Sequence, residues 1–334
     1  MPKQIFIWNS GSGKAKMVDA VRQRVQAIGP TEWLELSRDV DLKQEIYRAV
    51  GEGCETVIAG GGDGTLNAVV NAIMTLDPTQ RPRLAIVPLG TANDFAGTLA
   101  IPDDVEAAVD LIASQSLTCR ATRRAGAPEP NSRAGSTSLT HETTADLGRV
   151  VPIDVVRISS HDFKLFYANM AAGGNCVRVS ESLTDEIKAT WGAFCYLRGA
   201  LGVLADMKTF AIRADCDGEI IECDSWGVLV ANGKTNAGRI PVAPQASPAD
   251  GLLDVIIIRE GTMMDMVEIV SKTLLTSFLD SDKVMFRQVK KLSLISNPDM
   301  RYTLDGEIID QEPVNFEVVP GAINMIVGTE FGLV

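Results

Sequence analysis

Gly60-Gly61-Gly62-Asp63-Gly64-Thr65-Leu66-Asn67-Ala68 is the stretch on which the reading of this 334-residue chain turns. Before it runs Glu55-Thr56-Val57-Ile58-Ala59, short and apolar; after it, in Val69-Val70-Asn71-Ala72-Ile73, apolar residues recur at helical spacing. The pattern is strand, glycine turn, helix. Glycines at 60, 61, 62 and 64 let the backbone adopt positive φ and come close to a ligand. Successive amides then point outward at the start of a helix, where first-turn N–H groups are unpaired and the dipole adds about half a positive charge. Phosphate suits such a seat. Asp63 would repel phosphate unless a divalent cation lay between them, so the pattern points to a magnesium-bound nucleotide. A turn that uses glycine for packing alone is the plainer alternative, but four glycines and an acid in so short a run exceed its needs.

The surrounding sequence extends this pattern in both directions. Gln4 to Trp8 reads as a strand, and Asn9-Ser10-Gly11-Ser12-Gly13-Lys14 opens a helix from Ala15 to Ile28. This is half a P-loop and not a whole one: Trp8 stands where the first glycine belongs, and Ala15 where Ser or Thr follows the lysine. A strand at Trp33 to Leu36 and a helix at Leu42 to Val50 complete a βαβαβ alternation, the mark of a parallel, doubly wound sheet. Beyond the next strand, Leu84 to Val87, Pro88-Leu89-Gly90-Thr91-Ala92-Asn93-Asp94-Phe95-Ala96 repeats the theme. Thr91 can cap the following helix and bind phosphate, or Asn93 and Asp94 can simply bond their own turn's backbone. Two such turns after strands of one parallel sheet lie at its carboxyl edge, where such sheets bind ligands.

Past a helix at Asp103 to Ala113 the composition changes. Arg123 to Leu147 is rich in Ala, Gly, Pro, Ser and Thr with almost no large apolar residue, and reads as a flexible insertion. From Pro152 short strands dominate: Ile153 to Ile158, Lys164 to Met170, Thr209 to Ala214, Glu219 to Asp224, Trp226 to Ala231, Leu252 to Ile258, Lys291 to Ile295, Tyr302 to Leu304, Val314 to Val319 and Asn324 to Val327. Helical blocks interrupt at Ser182 to Met207 and Met263 to Leu275. The expected organisation is an α/β nucleotide domain over residues 1–121, to which the C-terminal tail can return, an insertion at 122–148, and a β-rich domain of sandwich type over 149–334.

With 46% hydrophobic and 22% charged residues, the composition is that of an ordinary soluble globular protein. A net charge of −12 speaks against nucleic acid and against permanent attraction to an anionic membrane. The N-terminus enters a strand without a signal-type apolar stretch, and no run approaches the roughly 18 apolar residues of a membrane span. Six cysteines without CxxC pairing read as reduced thiols of a cytoplasmic protein. Two histidines, His141 and His161, leave little material for a Ser-His-Asp triad or a histidine-rich zinc site.

Two further acidic patterns lie in the β-rich half. Asp250, in Ser247-Pro248-Ala249-Asp250-Gly251-Leu252-Leu253-Asp254, can hold a hard cation with nearby carbonyls or open a strand as an Asx turn. Glu307, after the Asp305-Gly306 turn, can act as a general base or be an exposed turn acid.

Taken together and in this order, GGGDGTLN, PLGTANDFA, ADGLLDV and TLDGE resemble the bacterial lipid kinases of the diacylglycerol kinase catalytic-domain family, which also includes sphingosine kinases. The first motif alone is shared with NAD kinases and phosphofructokinases. The resemblance runs from Gln4 to Phe331, apart from Arg123 to Leu147, and implies a NAD-kinase-like nucleotide domain, a C-terminal β-sandwich and an active site between them. It implies ATP as co-substrate and Mg²⁺ as cofactor, with Gly61, Gly62, Asp63, Gly64, Thr65, Leu66, Asn67 and Ala68 forming the phosphate loop. Ala68 departs from a family position often held by Glu. Thr91 and Asn93 would bind nucleotide, and Ser37 is the nearest match to a Ser or Thr after the second strand. Asp250, with the backbone of Ser247 and Leu252, resembles the structural magnesium site; Glu307 would be the proton acceptor and Asp63 its catalytic companion. The implied reaction is transfer of the γ-phosphate to a lipid hydroxyl such as that of diacylglycerol, in phospholipid metabolism, by a cytoplasmic protein that meets its lipid transiently at the inner membrane face. A kinase of a soluble substrate and an inactive nucleotide-binding regulator are the competing functions. Lys188 to Gly202, glycine-interrupted and aromatic, can line an acyl-chain entrance or belong to the core.

Overall fold

The structure, a computed structural model, describes residues 3–125, 148–161, 163–177, 207–236, 238–262, 264–265, 268–269, 272, 278–305, 307–309 and 314–332. In the first part, strands β1 (Lys3–Trp8), β2 (Thr31–Glu35), β3 (Cys54–Gly61) and β4 (Arg83–Pro88) alternate with helices α1 (Val18–Ile28), α2 (Leu42–Gly51) and α3 (Asp63–Ile73), followed by α4 (Asp94–Thr98) and α5 (Val105–Ala125). The four strands are parallel and ordered β2-β1-β3-β4. Ile5, Phe6, Ile7, Val57, Ile58, Ala59 and Leu84 to Val87 are all buried, as expected of parallel strands covered on both faces. Helix α1 turns Val18, Val21, Val25 and Ile28 inward at helical spacing. Helix α2 starts at Asp41, whose carboxylate accepts hydrogen bonds from the amides of Lys43 and Gln44.

The second part is antiparallel: β5 (Arg149–Ser159), β6 (Lys164–Tyr167), β7 (Met170–Gly174), β8 (Phe210–Cys216), β9 (Glu219–Ala231), β10 (Thr235–Asn236), β11 (Ile240–Pro241), β12 (Leu253–Arg259), β13 (Val284–Val289), β14 (Lys291–Asn297), β15 (Tyr302–Leu304), β16 (Glu307–Ile309) and β17 (Val314–Val327). Strand β9 is long enough to serve two faces. Its first half pairs with β8 and its second half with β7 and β12, so the sheet folds over and its inner side chains meet. Tyr167 and Tyr302 pack edge-on against Phe316, at 6.4 and 6.0 Å between ring centroids, inside that fold. This is a β-sandwich following a parallel α/β domain.

Strand β17 joins the two. Its first residues pair with β14, most of its length pairs with β5, and Met325 pairs in parallel with Leu84 of β4. The register breaks between Val319 and Ile323, around left-handed Gly321 (φ 55°), whose amide donates to the Asp154 carboxylate at 2.7 Å. Val314 to Val319 and Asn324 to Val327, read as two strands, are thus one bulged strand, because an acid in β5 holds the bend. Glu219 to Asp224 and Trp226 to Ala231 likewise form one strand, with the Ser225 hydroxyl bonded to the carbonyls of Gly227 and Ile258 at the place of change. Lys164 to Met170 is the opposite case: it divides into β6 and β7 at Ala168 and Asn169. Strand Val284–Val289 lies outside the strands expected from sequence: Val284 to Arg287 are all half-buried, so no inside–outside alternation marks it.

Helix α5 continues to Ala125, past the expected Ala113 and into the start of the expected insertion, the rest of which lies outside the described residues. The block Ser182 to Met207 except for its last residue, including Lys188 to Gly202, and much of Met263 to Leu275 also lie outside them, as does His141. Among the described residues no helix is long and apolar enough to cross a membrane. Among the described cysteines, Cys54, Cys176, Cys216 and Cys223 form no disulfide, and burial is the chief cause that raises the pKa of each.

Candidate active site

Three loops meet at the carboxyl edge of the parallel sheet. The amide of Asn9 donates to the Gly60 carbonyl at 3.3 Å, that of Lys14 to Leu89 at 2.8 Å, and that of Leu89 to Gly61 at 3.1 Å. The glycine turns need glycine for closeness and not for handedness. A Cβ on Gly60 would stand 2.3 Å from the Phe6 ring, one on Gly61 2.2 Å from the Thr65 hydroxyl, and one on Gly90 2.3 Å from the Cα of Gly62. The expectation of positive φ at 60, 61, 62 and 64 fails: none of them is left-handed. Gly64 is exposed and a Cβ there would meet nothing within 4 Å.

Helix α3 begins at Asp63, with Gly62 before it in extended conformation. Thr65, Leu66 and Asn67 are buried and Ala68 partly so. Leu66 belongs to the core, and Asn67 is bonded to Asn71. Asn71 in turn exchanges two hydrogen bonds with the backbone of Phe166, at 2.7 and 2.9 Å, which fastens α3 to β6 of the second domain. The open part of the turn is therefore Gly62, Asp63 and Gly64, with the amides of the first helical turn directed out of the helix end.

The second turn is built by Asn93 and not by Thr91. Asn93 is left-handed (φ 53°) and buried; its side-chain oxygen accepts from the Gly90 amide at 3.0 Å and its nitrogen donates to the Gly90 carbonyl at 2.9 Å. Helix α4 follows directly, so Thr91 does not cap it. Thr91 is exposed, and a Cβ on Gly13 would lie 3.1 Å from its hydroxyl, which places it at the mouth between the first and third loops. Ser37 is exposed just past β2.

Asp63 has a role that the sequence did not reveal. Its carboxylate accepts from the amides of Asp94 and Phe95, both at 3.2 Å, and so completes the first turn of α4. Burial, and then the neighbouring Asp94, push its pKa up. Asp94 is itself buried and turned to the second domain, accepting from the amides of Gly238 at 3.1 Å and Arg239 at 2.5 Å. In the second domain, Asp305 accepts from the amides of Ala168 (3.2 Å), Asn169 (3.3 Å) and Met170 (3.0 Å). This clamp explains why β6 and β7 separate there. Burial raises the Asp305 pKa to about 7; the Met170 amide opposes that rise and Asp63 adds to it. Glu307 opens β16 opposite Leu304, two residues beyond this clamp; its side chain lies outside what is described.

Asp63, Asp94 and Asp305 thus concentrate negative charge where the glycine turns would seat an anion. A divalent cation carrying phosphate reconciles the two, and the arrangement fits one on that ground. Among the described residues no group of three or more His, Cys, Asp or Glu side chains stands ready to hold a metal, so such an ion would take much of its coordination from phosphate and water.

The Asp250 loop is tied to a different place. Asp250 is exposed and one of its oxygens accepts from the Leu252 amide at 2.9 Å, the Asx turn that opens β12. Asp154 accepts from the amides of Gly251 and Gly321 at 2.7 Å each, joining this loop to the bend of β17. Burial, and to a lesser degree Asp154, raise the Asp250 pKa; buried Asp254 leaves one oxygen without a partner. Among the described residues no salt bridge reaches these three acids, and no group of three or more His, Cys, Asp or Glu side chains stands ready to hold a metal, so a hard cation at Asp250 would have to draw on backbone carbonyls and water.

Asp94, Asp305, Asn71 and Asp154 escaped the sequence reading as site-building residues. Two of them stood inside motifs already noted, and their signal was an acid beside a glycine turn.

Comparisons with known proteins agree over nearly the whole chain. Residues 3–121 match the diacylglycerol kinase catalytic domain, and residues 170–327 match the YegS C-terminal NAD kinase beta sandwich-like domain. Diacylglycerol kinases of Staphylococcus aureus strains JH9 and Newman are 28% identical over 315 residues, covering 93% of this chain and 88% of theirs. Two solved structures from Bacillus anthracis str. Sterne share the fold: a candidate diacylglycerol kinase with a TM-score of 0.75 at 22% identity, covering 97% of this chain and 95% of that one, and a diacylglycerol kinase with a TM-score of 0.69 at 20% identity, covering 97% and 96%.

Proposed function

Because the chain belongs to the bacterial diacylglycerol kinase-like family of lipid kinases, and is a phosphotransferase with an alcohol group as acceptor, we propose that it transfers the γ-phosphate of Mg²⁺-bound ATP to the hydroxyl of a diacylglycerol-type lipid. The observation that carries this reading is the convergence of two glycine turns, packed backbone on backbone at Gly62 and Gly90, with the second domain's Asp305 near enough for the Asp63 charge to raise its pKa.

The chain's own groups have separable tasks in this account. Amides at Gly62, Asp63 and Gly64 receive phosphate oxygens, and Thr91 offers a hydroxyl at the rim. Asp63, which fixes the first turn of α4, would also orient the phosphates when Mg²⁺ is bound to them. Magnesium supplies charge neutralisation for the phosphates. The lipid hydroxyl oxygen bonds to the γ-phosphorus, the bond from that phosphorus to the bridging oxygen breaks, and its electron pair leaves with ADP. The hydroxyl proton passes to the Glu307 carboxylate. The transition state is loose, so positioning and charge do most of the catalysis, and the base contributes about 10² to 10⁴-fold. Asp250 with the carbonyls of Ser247 and Leu252 would hold a second, structural Mg²⁺. The lipid is met transiently at a membrane surface, with the −12 net charge opposing lasting attachment.

The test is [γ-³²P]ATP labelling against diacylglycerol, monoacylglycerol, sphingosine, phosphatidylglycerol and NAD, each with and without Mg²⁺. Label in a lipid, dependent on Mg²⁺, is expected. Label in NAD alone would replace the lipid reading with the soluble-substrate one, and label in nothing would favour a nucleotide-binding regulator.

A further inference from the structure

Arg239 holds a conformation that its side chain makes costly. It follows left-handed Gly238 (φ 88°) in the β10–β11 hairpin and is itself left-handed, at φ 73°. A bulky residue rarely adopts that geometry, and glycine would sit there without strain. The hairpin is docked on the nucleotide domain: Asp94 takes the amides of both Gly238 and Arg239, the Thr235 hydroxyl donates to the Asp94 carbonyl at 3.2 Å, and the Lys234 amide to the Thr98 hydroxyl at 3.0 Å.

From that anchor the guanidinium lies along α4, with its atoms 3.8 to 4.0 Å from where a Cβ on Gly97 would stand, and pairs with Asp103. The carbonyl of Asp103 accepts from the Lys14 ammonium at 3.3 Å. Lys14 is the residue after Gly13, and its own amide donates to Leu89, just before Gly90. One cation from each domain therefore converges on Asp103, and one of the two, Lys14, continues the loop that carries Gly13 and meets Thr91, in a protein of net charge −12. The Arg239–Asp103 pair is about half exposed on both sides, and an exposed pair of that kind contributes too little to account for a left-handed arginine. Strained residues of this sort are characteristic of ligand clamps.

We infer that Arg239 is a nucleotide-binding residue contributed by the second domain: its guanidinium exchanges Asp103 for the β- and γ-phosphate oxygens of ATP, with Lys14 beside it. A planar fork of donors matches phosphate oxygens in pairs, which an ammonium cannot do. Asp94 is the positioning residue, because it holds the Arg239 backbone while its own amide is held by Asp63 in the phosphate turn. The inference rests on the ATP-kinase reading and adds a contact to it.

The test compares wild type, Arg239→Gly and Arg239→Lys by calorimetric titration with Mg-ATP, Mg-ADP and AMP, alongside thermal melting and the lipid KM. Arg239→Gly removes the guanidinium and relieves the backbone, so it should melt at or above the wild-type temperature. Its affinity for ATP and ADP should fall about ten- to a hundredfold, the loss expected of a charged hydrogen-bonded contact. AMP affinity and lipid KM should change less than twofold, and Arg239→Lys should lie between wild type and Arg239→Gly. ATP affinity in Arg239→Gly within twofold of wild type overturns the inference while leaving the kinase reading intact; equal losses for AMP and ATP overturn it as well, by showing a distorted site. A wild type that binds no Mg-ATP overturns both readings together.

Discussion

Gly90 packs on Gly62 so closely that a Cβ added to Gly90 would lie 2.3 Å from the Gly62 Cα and 2.9 Å from its amide nitrogen. The two turns are one object. Gly90→Ala must push them apart, and the cost expected for such overpacking, about 1–3 kcal/mol, should appear as a lower melting temperature together with lost nucleotide binding. Gly64→Ala is the counterpart. Nothing surrounds that position, and it lies in the first turn of α3, where alanine is favoured over glycine by about 1 kcal/mol. It should melt no lower than wild type and yet bind Mg-ATP at least tenfold more weakly, because the methyl group occupies the phosphate seat. Unchanged ATP affinity in Gly64→Ala would place the phosphates elsewhere.

How far the sequence reveals this site depends on whether a residue acts locally. The parallel domain was legible because its strands are continuous apolar runs and its helices keep their period, as in Val18, Val21, Val25 and Ile28. The sandwich was legible as strands, but its joins were not: the bend at Gly321 depends on Asp154, more than a hundred and sixty residues away, and the split at Ala168 depends on Asp305. The glycines stand out in the sequence, but closeness to another chain segment leaves the same letters there as a positive φ, and here it is closeness that requires them. Asp63 looked like a partner for metal and is also the acceptor that completes α4, a duty set by tertiary contact with Asp94 and Phe95.

That double duty changes what its removal should do. Asp63→Ala deprives two amides of their acceptor, so a stability loss of about 1 kcal/mol should accompany a near-complete loss of turnover. Asp63→Asn keeps one acceptor oxygen and should recover part of the stability without the activity. Melting and turnover measured on the same samples decide it; an inactive Asp63→Ala with wild-type melting would mean that the α4 contact contributes nothing.

Asp250 offers a test of the structural cation. A metal that binds only the folded protein raises its melting temperature with concentration. Without ATP, Mg²⁺ should stabilise wild type and fail to stabilise Asp250→Ala, and EDTA should bring wild type down toward the variant. Equal Mg²⁺ shifts in both proteins would remove Ser247, Asp250 and Leu252 from consideration as ligands.

Asp305 should leave a mark on the pH dependence of stability. Burial raises its folded pKa to about 7, above the value near 3.8 of a free carboxylate. Between those values the folded state binds more protons than the unfolded one, so this group's contribution is complete below about pH 3.8 and is lost as pH rises toward 7. Relative to Asp305→Asn, which does not titrate, wild type should lose stability across that window with a slope of up to about 1.4 kcal/mol per pH unit. Denaturant melts at four pH values measure it, and a constant difference between the two proteins would show that Asp305 keeps an ordinary pKa.

The most direct measurement of the central claim is single-turnover transfer of label from [γ-³²P]ATP to diacylglycerol in mixed micelles, at saturating Mg²⁺, by wild type beside Glu307→Gln. Wild type should yield labelled phosphatidic acid, and the variant should bind ATP with nearly the same affinity while transferring at least about 10²-fold more slowly. Wild type that binds Mg-ATP but labels no diacylglycerol, or a Glu307→Gln rate within tenfold of wild type with chemistry limiting, would contradict phosphoryl transfer to a lipid hydroxyl in this cleft with Glu307 as the base.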